Sequence, residues 1–344
     1  MLADELDFVI GVDTHKDLHA LAVVEAPSGG VLVEAQVEAS SRGYAAALAL
    51  ANEQAAGRRA FAIEGTGSYG AGLSRFLVCR GEQVLEVGRL PREGRRSRAK
   101  SDALDAIRAA RSVLAGERLA RPRAGGEREQ LRALMVCREG ALQAKRAGLC
   151  QLRDLLLTCP QELREDLAAL TRARLLGRCA RLRRNGAAPG TRLALALLAR
   201  RVLVLQAEER ELASQIRALV EELAPELLAE PGVGPISAAQ VLLSWSHPGR
   251  LRSEAAFARL AGTAPIPASS GKLVRHRLDP GGDRKLNRAL HTIVVSRRKI
   301  HPATIAYVER RLREGKTTRE AIRCLKRYLA RHLFRLLERI TQAT

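Results

Sequence analysis

Short apolar runs and period-two alternations dominate the start of the chain. Residues 8–12 form an apolar run ending at Asp13, a polar turn over 14–18 leads into the run 20–24, and beyond Pro27-Ser-Gly-Gly30 the segment 31–37 alternates apolar with polar. Runs of this length, bounded by turn residues, predict three strands joined as a meander. The spacing then predicts a helix over 43–52 capped by Ser40 or Ser41, a strand over 60–63, a helix over 69–79, a strand over 83–87 and a helix over 102–115. This order, βββ-α-β-α-β-α, matches a ribonuclease H-like α/β domain with a mixed sheet. A doubly wound nucleotide-binding sheet would alternate strand and helix from the outset.

The period then lengthens. Residues 127–159 predict one long helix, with Met135, Leu142, Leu149 and Leu156 seven apart; residues 191–223 predict a second, with Leu205, Leu212 and Leu219 beside Val202, Ile216 and Leu223. An Arg-rich stretch ending Asn185-Gly-Ala-Ala-Pro-Gly190 separates them, so the pair reads as an antiparallel coiled-coil arm whose leftover apolar surface suits another subunit. Pro231-Gly-Val-Gly-Pro235 followed by Ile236-Ser-Ala-Ala-Gln-Val241 reads as a helix-hairpin-helix-like element, a turn that aims backbone N–H groups at a phosphate. Further helices follow. The expected division is an α/β domain over 1–125, an oligomerisation arm over 126–225 and a mainly α C-terminal domain over 226–344.

Composition narrows the partner. The 344 residues carry 58 Lys+Arg against 37 Asp+Glu, a formal net charge of +21 that favours phosphate backbones. The residues before Arg89 are net acidic and the basic excess begins there, which separates an acidic site from nucleic-acid-gripping parts. Aromatics at 3% argue against a protein built on base-stacking platforms. The acidic N-terminus is unlike a signal peptide, and no apolar run approaches the ~18 residues of a membrane span. The six cysteines are scattered without a CxxC pair, the usage of reduced packing residues in a cytoplasmic protein, not of a zinc site or a disulfide framework.

In so basic a chain, Asp13, Glu64, Asp102 and Asp105 stand out. Asp13 and Glu64 end strands that can lie side by side, and Asp102 and Asp105, spaced i,i+3, share a helix face about 5–6 Å apart at Cβ. Like charges at ~4 Å repel by roughly 1 kcal/mol in water and by several times that in a less polarisable site. Divalent metal, Mg²⁺ or else Mn²⁺, would relieve that repulsion and polarise a phosphodiester. The plainer reading of each residue is a helix cap or a solvent-facing strand end. Two basic clusters flank the candidate chemistry: Arg89, Arg92, Arg95, Arg96, Arg98 and Lys100 before the acidic helix, and Lys272, Arg275, Arg277, Arg284, Lys285 and Arg288 further on. Both suit phosphate contact. His15 and His19 read as turn and strand residues, because an oxygen-rich site already suits Mg²⁺.

Gly11-Val-Asp-Thr-His-Lys16, Glu64-Gly-Thr-Gly-Ser-Tyr69 and Lys100-Ser-Asp-Ala-Leu-Asp-Ala106 resemble the acidic motifs of the IS110/IS1111 family of transposases. Pro231-Gly-Val-Gly-Pro235, Leu260-Ala-Gly-Thr-Ala-Pro265, Ser269-Ser-Gly-Lys272 and Gly282-Asp-Arg-Lys-Leu-Asn-Arg-Ala-Leu-His291 resemble its second domain. The resemblance implies a RuvC-like domain whose DEDD metal site is Asp13, Glu64, Asp102 and Asp105. It also implies a serine nucleophile directly before Gly-Lys, which selects Ser270 with Ser269 adjacent. It further implies DNA as donor and target, a bridge RNA as guide, and a homo-oligomer, dimer or tetramer, in which domains of different subunits meet. Two other readings remain beside this one: a RuvC-like Holliday-junction nuclease that needs no serine, and a nucleic-acid-binding protein whose acidic residues are caps.

Overall fold

Three strands, β1 (Phe8–Thr14), β2 (Leu18–Glu25) and β3 (Val31–Glu38), form the antiparallel meander that the alternation predicts. Helix α1 (Ser41–Gln54) follows, and Ser40 caps it by accepting a hydrogen bond from the Gly43 N–H at 3.2 Å, a cap that stabilises by about 1 kcal/mol. Then come β4 (Arg59–Glu64), α2 (Ala71–Cys79), β5 (Gln83–Val87), α3 (Asp102–Leu114) and the two-residue β6 (Leu119–Ala120). The sheet order is β3-β2-β1-β4-β5-β6, with β1–β4 and β4–β5 parallel and the other pairs antiparallel. A mixed six-stranded sheet of this order is compatible with a ribonuclease H-like domain. The computed structural model describes residues 5–88, 102–116, 119–123, 125–267, 276–277 and 279–342.

Period-two alternation sorts each strand between two cores. Ile10, Val12, Leu21, Val23, Phe61 and Ile63 pack with α1 and α2 residues Ala47, Ala51, Leu73 and Leu77. On the opposite face Val9, Val24, Ala60, Ala62, Leu85 and Val87 meet Ala109, Ala110 and Val113 of α3. That second face is built for close approach. A Cβ on Gly11 would lie 1.9 Å from the Ala106 carbonyl oxygen, so α3 rests directly on the backbone of β1, flanked by the small Ala20 and Ala22. Arg59 ties the ends of three elements together: it donates to Glu82 Oε1 at 2.5 Å and Oε2 at 3.0 Å, and to the Ala51 carbonyl at 2.6 Å.

The chain divides into two compact units, residues 1–125 with 246–252, and residues 126–245 with 253–344. Within the first, the returning segment docks on the β5–β6 side: Arg250 donates to the Arg121 carbonyl at 2.9 Å and pairs with Glu86 at 3.4 Å, while His247 Nε2 lies 2.8 Å from the Pro122 carbonyl.

The second unit opens with α4 (Glu127–Thr158), α5 (Gln161–Ala168), α6 (Arg172–Ala180) and α7 (Pro189–Leu223). Helices α4 and α7 run antiparallel, since Arg138 pairs with Glu209 at 3.2 Å while Gly148 faces Val202 nearer the other end. Helices α5 and α6, unforeseen in the Arg-rich stretch, cover the tip through Leu163, Leu167, Leu176 and Cys179 packed on Leu152, Leu195 and Val202. Beyond them lie α8 (Pro225–Ala229), α9 (Pro235–Trp245), α10 (Glu254–Leu260), the hairpin of β7 (Ile266–Pro267) with β8 (His276–Arg277), then α11 (Arg284–Ile300), α12 (Pro302–Arg313) and α13 (Thr318–Gln342). Trp245 anchors this part, fully buried with its indole N–H donating to Glu338 Oε1 at 2.8 Å. No helix among the described residues is long and apolar enough to cross a membrane.

Two measurements check these packing arguments. Gly11→Ala forces a methyl into the Ala106 carbonyl, and overpacking of this kind costs about 1–3 kcal/mol; the thermal transition of the first unit should fall by several degrees, roughly 2–8 °C per kcal/mol. His19 is fully buried, stacked on Tyr44 at 5.9 Å between ring centroids, and burial holds its imidazole below its usual pKa. A depressed histidine contributes stability above its unfolded pKa of about 6.5 that is lost as pH falls through the folded value. Melts at descending pH should therefore decline less steeply in His19→Phe, which keeps the stack and removes the titration.

Candidate functional site

Asp13 sits at the C-terminal end of β1, on the same face as Val9 and Gly11, which is the face covered by α3. Glu64 ends β4, one register step beyond the Val12–Ile63 pair, so the two acids stand at neighbouring ends of parallel strands. Thr14 donates from Oγ1 to the Glu64 carbonyl at 2.9 Å and fixes those ends relative to each other. Asp102 opens α3, and because Gly11 lets that helix touch β1, its carboxylate arrives above Asp13.

The groups that converge are Asp13, His15 and Asp102, with one ligand atom from each lying within 4.8 Å of the others. His15 Nε2 lies 3.1 Å from Asp13 Oδ2 and 3.4 Å from Asp102 Oδ1. Asp105 stands outside this group and takes an ion pair with Arg108 at 2.9 Å. Glu64 is also outside it, half-buried at its strand end. His15 is the residue that sequence reasoning set aside. Its signal was the Asp-x-His spacing, which returns two side chains to one face only if the strand continues past Asp13, as β1 does to Thr14.

Electrostatics at the cluster favour a cation. Burial pushes the Asp13 carboxyl above its usual pKa; His15 opposes that rise, and the charges of Asp105 and Asp102 add to it. Two carboxylates and an imidazole are a donor set that divalent ions such as Mg²⁺, Mn²⁺ or Zn²⁺ accept, the nitrogen tilting preference toward the transition metals. The residues present therefore fit a divalent ion held by Asp13, Asp102 and His15, with Glu64 and Asp105 adjacent.

A second set of sequence motifs meets in the later unit. Gly262, at positive φ, and Gly282 cross backbone to backbone: a Cβ on Gly282 would lie 2.3 Å from Gly262 N. Asn287 Nδ2 donates to the Ala261 carbonyl at 2.6 Å, the Asp283 N–H to the Leu260 carbonyl at 2.6 Å, and Lys326 Nζ to Asn287 Oδ1 at 2.7 Å. Asp283 also caps α11 and accepts from Ser244 Oγ at 2.8 Å. These bonds clamp the two roots of the β7–β8 hairpin. Arg277 lies exposed on β8; Arg284, Lys285 and Arg288 lie exposed on the first turns of α11, Arg288 paired with Glu139 at 3.0 Å. Ser269, Ser270, Lys272 and Arg275, together with Arg89, Arg92, Arg95, Arg96, Arg98 and Lys100, lie outside the described residues. The Pro231–Pro235 turn packs Gly232 against Arg297 and Ile293 of α11, while Gly234 faces open space.

Comparison with known proteins gives two matches in tandem. Residues 10–160 match a family described as Transposase, of the DEDD IS110 type, and residues 224–309 match the Transposase IS116/IS110/IS902 family. The chain is also similar to the insertion element IS110 uncharacterized 43.6 kDa protein of Streptomyces coelicolor, 34% identical over 143 residues. That alignment takes in 41% of this chain and spans about a third, 35%, of the relative's length.

If the cluster holds a divalent ion, isothermal titration with Mn²⁺ should show one class of sites that Asp13→Ala and Asp102→Ala each weaken by roughly 10-fold or more, the loss of a direct ligand costing at least the 10–100-fold that a second-layer partner costs. His15→Ala should weaken Mn²⁺ more than Mg²⁺, because it removes the nitrogen donor and leaves the oxygens.

Proposed function

The chain belongs to the IS116/IS110/IS902 family of transposases, and from that premise we propose that it is the DNA recombinase of an insertion sequence, cutting and joining strands through a serine nucleophile and a DEDD metal site. The observation that carries the reading is the meeting of Asp13 and Asp102 on one face of the sheet, with His15 between them. In the proposal Asp13, Glu64, Asp102 and Asp105 hold Mg²⁺ or Mn²⁺, with His15 as a further ligand. The bound ion would supply Lewis-acid polarisation of the scissile phosphate. Asp13, half-buried and beside like charges, is stabilised as a carboxylate by a neighbouring cation.

Ser270 supplies the nucleophile. Its Oγ attacks phosphorus, the bond from phosphorus to the 3′ oxygen breaks, and the hydroxyl proton passes to that leaving oxygen. The strand is left as a 5′-phosphoserine ester and a free 3′-hydroxyl, so the phosphodiester bond energy is kept for rejoining. A serine hydroxyl is a weak nucleophile near neutral pH and needs such activation. The glycine crossing and the Asn287 and Lys326 bonds support the proposal by giving the serine segment two rigid roots.

Nucleic acid is gripped, in this reading, by Arg89, Arg92, Arg95, Arg96, Arg98 and Lys100 and by Lys272, Arg275, Arg277, Arg284, Lys285 and Arg288. Support comes from α11: Arg284, Lys285 and Arg288 are exposed on its first turns, where the single Asp283 cap carboxylate stands among three cations. The functional division proposed is a catalytic RuvC-like domain over 1–125, a coiled-coil arm over 126–225 that joins subunits, and a serine domain over 226–344 with the Pro231–Pro235 turn as its helix-hairpin-helix. A bridge RNA selects the DNA, and the protein works as an oligomer in the cytoplasm.

The test is to express the protein with the DNA that flanks its own gene and recover covalent protein–DNA adducts. Adducts should form in the wild type and fall by roughly 10³-fold or more in both Ser270→Ala and Asp102→Ala, as expected for groups that act as a unit. Metal-dependent nicking that survives Ser270→Ala would instead identify a nuclease. Sequencing of the RNA that co-purifies should recover a transcript of the flanking DNA.

A further inference from the structure

A cavity of about 250 Å³ opens in the second unit where the hairpin roots meet the start of α13. Its walls are the backbone of Gly262–Pro265 and five cationic side chains: Arg277, Arg311, Lys316, Arg323 and Lys326. Two acids also line it, each bonded to a near neighbour in the chain, and Glu320 also feels the charges of Lys316 and Arg323. Glu320 accepts from the Thr317 N–H and hydroxyl at 2.8 Å each, and Asp279 accepts from the Gly281 N–H at 2.9 Å.

The cations are less satisfied. Arg277, Lys316 and Arg323 make no ion pair among the described residues. The Arg311 Nε is buried with no hydrogen-bond partner, although its terminal nitrogen pairs with Glu314. Burial and the neighbouring Arg323 hold the Lys326 ammonium below its usual pKa, a sign that positive charge is crowded here. Gathering cations around a concave space costs electrostatic energy that an anion repays. The volume falls short of the ~300–1,000 Å³ of drug-sized ligand pockets, which leaves room for a phosphate with part of its sugar.

We propose that this cavity seats one phosphodiester of a nucleic-acid strand, with Arg277, Arg311, Lys316 and Arg323 as its donors. It lies at the foot of the β7–β8 hairpin, so a strand phosphate held here fixes the register of the backbone at that hairpin. Lys326, tied to Asn287, couples the seat to the glycine clamp. The inference rests on the nucleic-acid part of the proposed function and on neither its serine nor its metal.

Lys316 and Arg323 are exposed, so replacing them leaves the fold intact. The experiment measures anisotropy of fluorescein-labelled 20-nucleotide single-stranded DNA, the same DNA as a duplex, and an RNA hairpin, over a range of NaCl. It compares full-length wild type with Lys316→Ala/Arg323→Ala and with Arg153→Ala/Arg164→Ala, which removes equal charge from exposed positions on α4 and α5. The seat requires the first double variant to lose roughly tenfold or more in affinity, as for one or two charge-assisted hydrogen bonds. It also requires the slope of log K against log salt to fall by about 1, one phosphate contact. The control should lose much less. A loss confined to the RNA probe assigns the phosphate to RNA, and one confined to the DNA probes assigns it to DNA. Equal losses in the two double variants would overturn the seat while leaving the proposed function standing; a wild type that binds none of the probes would overturn both.

Discussion

The backbone contact between Gly11 and Ala106 is the constraint on which the rest of the first unit depends. A helix packed on a sheet ordinarily stands off by the length of its side chains, but the missing Cβ of Gly11 brings the α3 backbone onto β1. The alanines on both sides follow from that distance: Ala20 and Ala22 on the sheet, Ala106, Ala109 and Ala110 on the helix, all buried. So does the site. With the helix so low, Asp102 at its first turn comes to the end of the strand that carries Asp13, and His15 spans the two. Stability and chemistry oppose each other here, because the packing that buries the alanines also crowds carboxylates and pushes the Asp13 pKa upward.

The second unit uses the same device. Gly262 and Gly282 cross where a single Cβ would collide with a backbone nitrogen, and side-chain amide and carbonyl bonds from Asn287 lock the crossing. Both candidate pieces of machinery are therefore fixed by glycine-mediated backbone contact, which tolerates less displacement than the packing of flexible side chains. The cationic cavity beside the crossing gains from that rigidity, since convergent donors hold an anion well only when their roots do not move.

Much of this was legible in the chain. Short apolar runs bounded by turn residues marked the three strands of the meander, and the structure pairs them antiparallel in that order, with Val9, Gly11 and Asp13 on one face of β1 and Ile10 and Val12 on the other. Other features were hidden by physics that periodicity does not carry. The buried positions of α4 are Leu131, Ala141, Gly148 and Leu152, whereas the seven-spaced Met135, Leu142, Leu149 and Leu156 are half-buried; Gly148, which a heptad of large residues does not mark, is where Val202 of α7 comes close. Helices α5 and α6 were masked by arginines on their exposed faces. His15 went unread as a ligand because four carboxylates already offered the oxygen-rich site that suits Mg²⁺, whereas the structure sets its ring between Asp13 and Asp102.

The proposed divalent-ion site draws its ligands from two distant segments that this glycine contact brings together. Anomalous diffraction from crystals soaked in Mn²⁺ tests it most directly. A peak is expected within bonding distance of Asp13, His15 and Asp102 in the wild type, and none there when Gly11 is replaced by valine in a chain that still folds. A peak elsewhere, or one at the same place that persists in Gly11→Val, would contradict it.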